Sequence, residues 1–210
     1  QLAWGAVGIC CQKVSEAEAF VRDGILDVLV TNEVRQPVML DRLARLARGA
    51  KVALCVDDAE GVDEAAAAAF RQDVTLRLLI EVDVGAGRCG VQTPEEAVAL
   101  AEIIRQSEGL RFAGLQAYHG TAQHLPDAAA RKAAIAAAAA RLKPVLAALK
   151  AAGFPCPVVT GAGTGTFAHE AASGLWTELQ CGSYAFMDAD YARVLGPEFE
   201  QALFVLTGVM

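Results

Sequence analysis

The string EVDVGAGRCGV, residues 81–91, sets three glycines and one arginine around two acids directly after the apolar run 76–80. Glycine lets the backbone come close to a ligand, and a guanidinium carries a permanent charge on a planar fork of donors. At the end of a buried strand, that combination suits a binding site better than a core; the structural alternative is a tight turn in which Arg88 pairs with Asp83. Three further strings close apolar runs in the same way. GLQAYHG (114–120) carries Gln116, Tyr118 and His119, VVTGAGTGT (158–166) carries glycines and hydroxyls, and LQCGSYAFMD (179–188) carries Gly182, Ser183 and Tyr184. Glycine-threonine loops that lead into short helices offer free backbone N–H groups to an anion. GAGTGT lacks the GK[ST] of a Walker loop and the spacing of a dinucleotide fingerprint, so a single phosphate is the expected ligand. His119, His124 and His169 have no metal-ligand spacing and read as surface or hydrogen-bonding residues, although His119 stands at a strand end and could face the site. No Ser/His/Asp arrangement stands out.

Such strings need a scaffold that gathers strand ends. Short runs rich in Val, Ile, Leu and Cys recur at 6–11, 28–31, 52–56, 76–82, 112–118, 158–161 and 179–185. Between most of them lie segments of helical period, among them PVMLDRLARLARG and TPEEAVALAEIIRQSEG. Ser15 with Glu18 has the spacing of a capping box, Thr93-Pro94 reads as a helix start, and Gly24, Gly109 and Gly153 read as helix stops. Strands apolar along their whole length, alternating with helices, require a parallel sheet covered on both faces. Seven such strands predict an α/β (β/α)8 TIM-type barrel lacking its first βα unit, which would precede Gln1. Residues 1–190 are expected to form this incomplete barrel. Residues 191–210, ending on the strand-like ALFVLTGVM, are expected to connect to a C-terminal β-domain.

Composition narrows the partners. Hydrophobic residues make up 54% and aromatics 6%, with alanine runs at 65–69 and 136–140, which suits small-residue helices packed on a sheet. A net charge of -7 without a basic cluster argues against nucleic acid, and no apolar run approaches the roughly 20 residues that span a bilayer. The six cysteines show no CxxC pair and read as reduced thiols in a cytoplasmic protein. Small molecules are the expected partners.

DVGAGRCG resembles the D-x-G-x-x-R-x-G motif of the alanine-racemase-type barrels, which bind pyridoxal 5'-phosphate. GICCQKVSEAEA, DVLVTNEV, GLQAYHG and ELQCGSYAFMDADY are similar to the branch that holds D-threonine aldolase, 3-hydroxy-D-aspartate aldolase and D-serine dehydratase, and the likeness runs nearly end to end. It implies that Arg88 lies along the cofactor ring and Tyr118 contacts ring or phosphate. Gln12 would line the same pocket, while Gly163, Thr164, Gly165, Ser183 and Tyr184 would hold the phosphate. Ala162 interrupts the glycine run usual before that threonine. The Schiff-base lysine of the family ends the first barrel strand and so would lie upstream of Gln1. Lys13, Lys51, Lys132, Lys143 and Lys150 are poor substitutes by position. A divalent metal (Mg, Mn or Zn) would be held by the C-terminal domain. The resemblance thus implies a homodimeric lyase that cleaves D-3-hydroxy amino acids to glycine and an aldehyde, with dehydration to a keto acid and ammonia, or cofactor carriage without catalysis, as alternatives.

Overall fold

The computed structural model describes residues 1–208. Seven parallel strands alternate with seven helices: β1 (Ile9–Cys11), α1 (Val14–Arg22), β2 (Asp27–Glu33), α2 (Pro37–Leu46), β3 (Lys51–Val56), α3 (Ala59–Gln72), β4 (Leu76–Glu81), α4 (Pro94–Gln106), β5 (Leu110–Gln116), α5 (Ala128–Ala151), β6 (Val158–Gly161), α6 (Phe167–Ser173), β7 (Glu178–Leu179) and α7 (Ala189–Leu195). Each strand pairs with the next in chain order, from β1 at one edge to β7 at the other. That consecutive parallel order is the strand order of a (β/α)8 barrel, of which seven strands are present.

The alternation of side chains along each strand separates two layers. Val28 and Val30 of β2, Val52, Leu54 and Val56 of β3, and Leu76, Leu78 and Ile80 of β4 face the helices and join the large core. Alanines on the helices, such as Ala65, Ala68, Ala97 and Ala101, are fully buried against that face and let the helices sit close. The alternate residues Leu29, Ala53, Cys55 and Leu79 pack together inside the sheet's curve, with Cys10, Ala113 and Val158. The lumen is thus apolar at mid-height. At its lower end Arg77 of β4 reaches Asp27 of β2, 2.5 Å away, which closes the N-terminal side with charge.

Three sequence expectations shift. The box spacing of Ser15 and Glu18 is not used: Glu16 accepts from the backbone of Gln12 and Lys13, so α1 starts at Val14. The run 179–185 forms only the two-residue β7 before a 3-10 turn at Ser183–Ala185. Residues 201–208 form no strand; Leu206 is 101% exposed, and the N–H groups of Ala202 and Leu203 donate to the Phe186 carbonyl. An apolar strand needs a neighbour for its backbone and a layer for its face, and neither is in place there. The last two residues of ALFVLTGVM lie outside the described residues. Gly24, Gly109 and Gly153 do stop helices, each at positive φ. Among the described residues no helix is long and apolar enough to cross a membrane. All six cysteines are free thiols.

Candidate active site

Above the apolar mid-layer of the lumen the chemistry changes. In the register Glu81 pairs with Gln116, Gln116 with Thr160 and Thr160 with Glu178, so four polar residues stand side by side at the C-terminal ends of β4 to β7. Gln180 Nε2 donates to Gln116 Oε1 (2.7 Å) and Thr160 Oγ1 (2.8 Å), and Thr160 Oγ1 donates to Glu178 Oε1 (2.9 Å). The paired groups of Gln116, Thr160, Glu178 and Gln180 stabilise a floor beneath the strand-end loops.

The glycines of DVGAGRCG fold the chain back on β4. Val91 N donates to Glu81 O at 2.9 Å, and Asp83 N donates to Val91 O at 3.1 Å. A Cβ on Gly90, at φ +105°, would meet Asp83 N at 2.6 Å, so only glycine closes this return. The pairing of Arg88 with Asp83 is not formed. Asp83 Oδ1 accepts from Gly85 and Gly87 N–H, its Oδ2 accepts from Gln92, and Arg88 Nε donates to Cys89 Sγ at 3.2 Å. Arg88 is therefore exposed at the rim with most of its fork unused.

Two adjoining cavities share Glu81, Arg88 and Tyr118. One, about 400 Å³, also touches Asp83, Cys89 and His124. The other, about 190 Å³, reaches Gln12, Asn32 and Gln180. Gln12, Arg88 and Tyr118 thus come together across strand ends that are far apart in sequence. Burial pushes the Tyr118 phenol up to about 12, with Tyr191 and Cys10 adding to it, so Tyr118 is a hydrogen-bond donor at neutral pH. Burial also pushes Glu81 up to about 8; the charge of Glu33 adds to this and Arg88 opposes it.

The loop after β6 stands behind Tyr118. A Cβ on Gly163 would lie 2.9 Å from the Tyr118 hydroxyl and 2.5 Å from Gln123 Oε1. Gln123, fully buried, clamps the loop: its Oε1 accepts from Gly165 N (3.0 Å), and its Nε2 donates to Thr166 Oγ1 (2.7 Å) and His119 O (3.3 Å). Thr166 passes the chain on to buried Glu170 at 2.8 Å. Thr164 Oγ1 accepts from Tyr184 N at 3.1 Å and so ties in the loop after β7. The Tyr184 ring leans on Phe199, and its hydroxyl meets Gln1. Ala162 takes φ +65° where the resemblance implied glycine, so the left-handed turn persists with a side chain on it. Among the described residues the N–H groups of Gly163 and Thr164 donate to no protein acceptor. Two uncommitted backbone N–H donors on a buried glycine loop, whose close approach to Gln123 and Tyr118 leaves no room for a Cβ at 163, fit a phosphate.

The lysines fall as their positions imply. Lys51 opens β3 at the lower end, Lys132, Lys143 and Lys150 lie on α5, and exposed Lys13 precedes α1. Sequence reasoning favoured His119 among the histidines. Instead the His119 ring covers Gly85 and its Nδ1 meets Thr121 Oγ1, while burial lowers its pKa; His124, packed on Tyr191, lines the larger cavity. Gln123 and Glu170 were missed because nothing in local spacing marks a buried clamp. Glu81 carried a faint signal, two residues beyond lumen-facing Leu79.

Comparison with known proteins gives this arrangement a relation. The 3-hydroxy-D-aspartate aldolase of Paracoccus denitrificans (strain Pd 1222) is 51% identical over 98% of this chain and 56% of its own length. The solved D-threonine aldolase from Filomicrobium marinum superposes with TM-score 0.93 at 48% identity, covering 96% of this chain and 56% of that one. The D-threo-3-hydroxyaspartate dehydratase of Delftia sp. (strain HT23) is 30% identical over 90% of this chain and 50% of its own. The chain spans about half the length of these relatives. The family model "Alanine racemase, N-terminal domain" matches residues 1–190, and the chain belongs to that family.

Proposed function

We propose that this chain is the cofactor-binding barrel of a pyridoxal 5'-phosphate-dependent lyase that cleaves D-3-hydroxy amino acids to glycine and an aldehyde. The observation that carries it is the position of Tyr118, which joins an Arg88-lined cavity to a loop with two uncommitted N–H donors. A flat ring bearing one phosphate needs those three features in that order. Pyridoxal 5'-phosphate, when bound, supplies an electron-poor ring that takes up the electron pair left by breaking Cα–Cβ. The loop at Gly163, Thr164 and Gly165 holds the phosphate, with Ser183 and Tyr184 closing over it from the next strand end. Arg88 packs against the ring and fixes neighbouring oxygens with donors that a lysine cannot reproduce. Tyr118, protonated, donates a hydrogen bond. Gln12 closes the side of the smaller cavity, and His124 on the wall of the larger one accepts the proton of the substrate's 3-hydroxyl. The cofactor-carrying lysine, a divalent metal held by a C-terminal domain and a homodimeric assembly belong to the same reading of the full-length protein.

Cleavage rather than dehydration is supported by the 51% identity to an aldolase against 30% to a dehydratase. The test is product analysis of the full-length protein, supplied with pyridoxal 5'-phosphate, Mn2+ and D-threonine. Glycine and acetaldehyde in equal amounts, with L-threonine inert, are expected. A keto acid and ammonia without glycine would assign it to the dehydratases.

A further inference from the structure

We propose that the upper rim of β2, β3 and β4 binds a zinc ion between Glu33, Asp57 and Cys89, with the buried carboxylate of Glu81 beside them. Three local features bring the ligands together. The pairing of β2 with β3 shifts between Val30 and Glu33, which sets Glu33 beside Cys55 on the lumen side. Asp57 follows β3 directly, and its Oδ2 accepts from Gly90 N at 3.1 Å. The return of the chain at Gly90 then lowers Cys89 onto the same spot. One ligand atom each from Glu33, Asp57 and Cys89 lies within 4.8 Å of the others. Small side-chain rotations bring such a triangle to the ~2.0–2.3 Å bonds of zinc to carboxylate oxygen and thiolate sulfur.

An acidic cluster alone would not make a site, but Glu81 adds an independent observation. It is 4% exposed, and its Oε2 has no hydrogen-bond donor among the described residues. Because Cys55 pairs with Leu79, the lumen-facing Glu81 two residues on stands opposite Asp57, beside the triangle. Glu33 Oε1 is buried and equally without a donor. Buried carboxylate oxygens with no partner are costly, and two beside each other repel. Arg88 donates its Nε to the Cys89 sulfur at 3.2 Å and, among the described residues, makes no hydrogen bond to either of these carboxylate oxygens. One thiol among carboxylates favours zinc over magnesium or calcium, which take oxygen alone. The 400 Å³ cavity, lined by Glu81 and Cys89, is the way in.

The test uses full-length protein stripped with chelator, reloaded with Co2+ or Zn2+ and desalted. Metal per protomer and the near-ultraviolet thiolate-to-cobalt absorption are read, neither of which depends on the cofactor or on turnover. Cys89→Ser is expected to abolish the absorption and lower retained metal by one per protomer. Cys89→Asp should restore the metal without the absorption, and Glu33→Gln should weaken zinc binding at least tenfold. Parental metal content and cobalt spectrum in Cys89→Ser and Glu33→Gln would overturn the assignment, as would a loss that Cys89→Asp does not restore.

Discussion

A methyl group at position 163 probes the phosphate loop without touching its charge. In Gly163→Ala the new Cβ would stand 2.5 Å from Gln123 Oε1 and 2.7 Å from its Cδ. The backbone there lies outside the left-handed region, so alanine meets no conformational penalty and the collision is the whole effect. Gln123 is 0% exposed and cannot step aside without leaving its hydrogen bonds to Gly165, Thr166 and His119. Losing two of them at about 1 kcal/mol each, and leaving the Gly165 N–H short of a partner, costs about 2–3 kcal/mol. If binding must rebuild that clamp, affinity for pyridoxal 5'-phosphate falls roughly 30–150-fold. Equilibrium dialysis of the full-length apoprotein against the cofactor measures this. Gln123→Ala supplies the control: once the amide is gone, adding Gly163→Ala should weaken binding less than about fivefold further, because the two closest contacts are then removed and the Tyr118 hydroxyl at 2.9 Å is the one that remains. An affinity for Gly163→Ala within threefold of the parent would refute the steric reasoning and remove the loop from the phosphate site.

Three further outcomes follow from the same geometry. Arg88 forms no ion pair with Asp83, so Arg88→Lys should leave the urea midpoint of the full-length protein unchanged within about 0.5 kcal/mol. Its turnover should nevertheless fall at least about tenfold, on the order of 1.4 kcal/mol of transition-state stabilisation, and near-parental turnover in a steady-state assay would contradict the placement of Arg88 along the ring. Ala162 sits at φ +65°, where an L-residue is strained by about 1–2 kcal/mol, while glycine adds about 0.4–1 kcal/mol of unfolded-chain entropy. Ala162→Gly should therefore gain up to about 1.5 kcal/mol in urea unfolding, and a loss would count against the turn. Burial raises Glu170 above its ordinary value, so the folded state holds this proton more tightly than the unfolded chain does. Its stabilising contribution is full below about pH 4.3, the unfolded value, and is lost as pH rises through the folded one. Urea midpoints at pH 5 and pH 8 should then converge in Glu170→Gln relative to the parent; equal shifts in both proteins would contradict it.

The barrel strands were legible because both faces are covered: Val52 to Val56 read as one apolar run whether a residue meets helices or lumen. The short last strand was not. Glu178 and Leu179 carry too little pattern to fix an end, and the apolar residues from 181 onward serve the loop instead. Helix stops were legible at Gly24, Gly109 and Gly153, since positive φ demands a particular residue type. The start of α1 slipped because two acids, Glu16 and Glu18, offer competing box spacings, and only the geometry shows that Glu18 is instead bound to Arg42. Arg88, Tyr118 and the Gly163 loop were visible as types out of place at strand ends. The Gln123 clamp and the Glu33–Asp57–Cys89 triangle were not, since they depend on a bulge, a folded-back loop and contacts between distant segments.

A crystal structure of the cofactor-loaded full-length protein tests the central claim most directly. The account predicts phosphate density within hydrogen-bond distance of the Gly163 and Thr164 N–H groups and close to Ser183, with the ring between Arg88 and Tyr118. A phosphate seated instead on the glycine turn at 85–90, or a ring that leaves Tyr118 untouched, would contradict it.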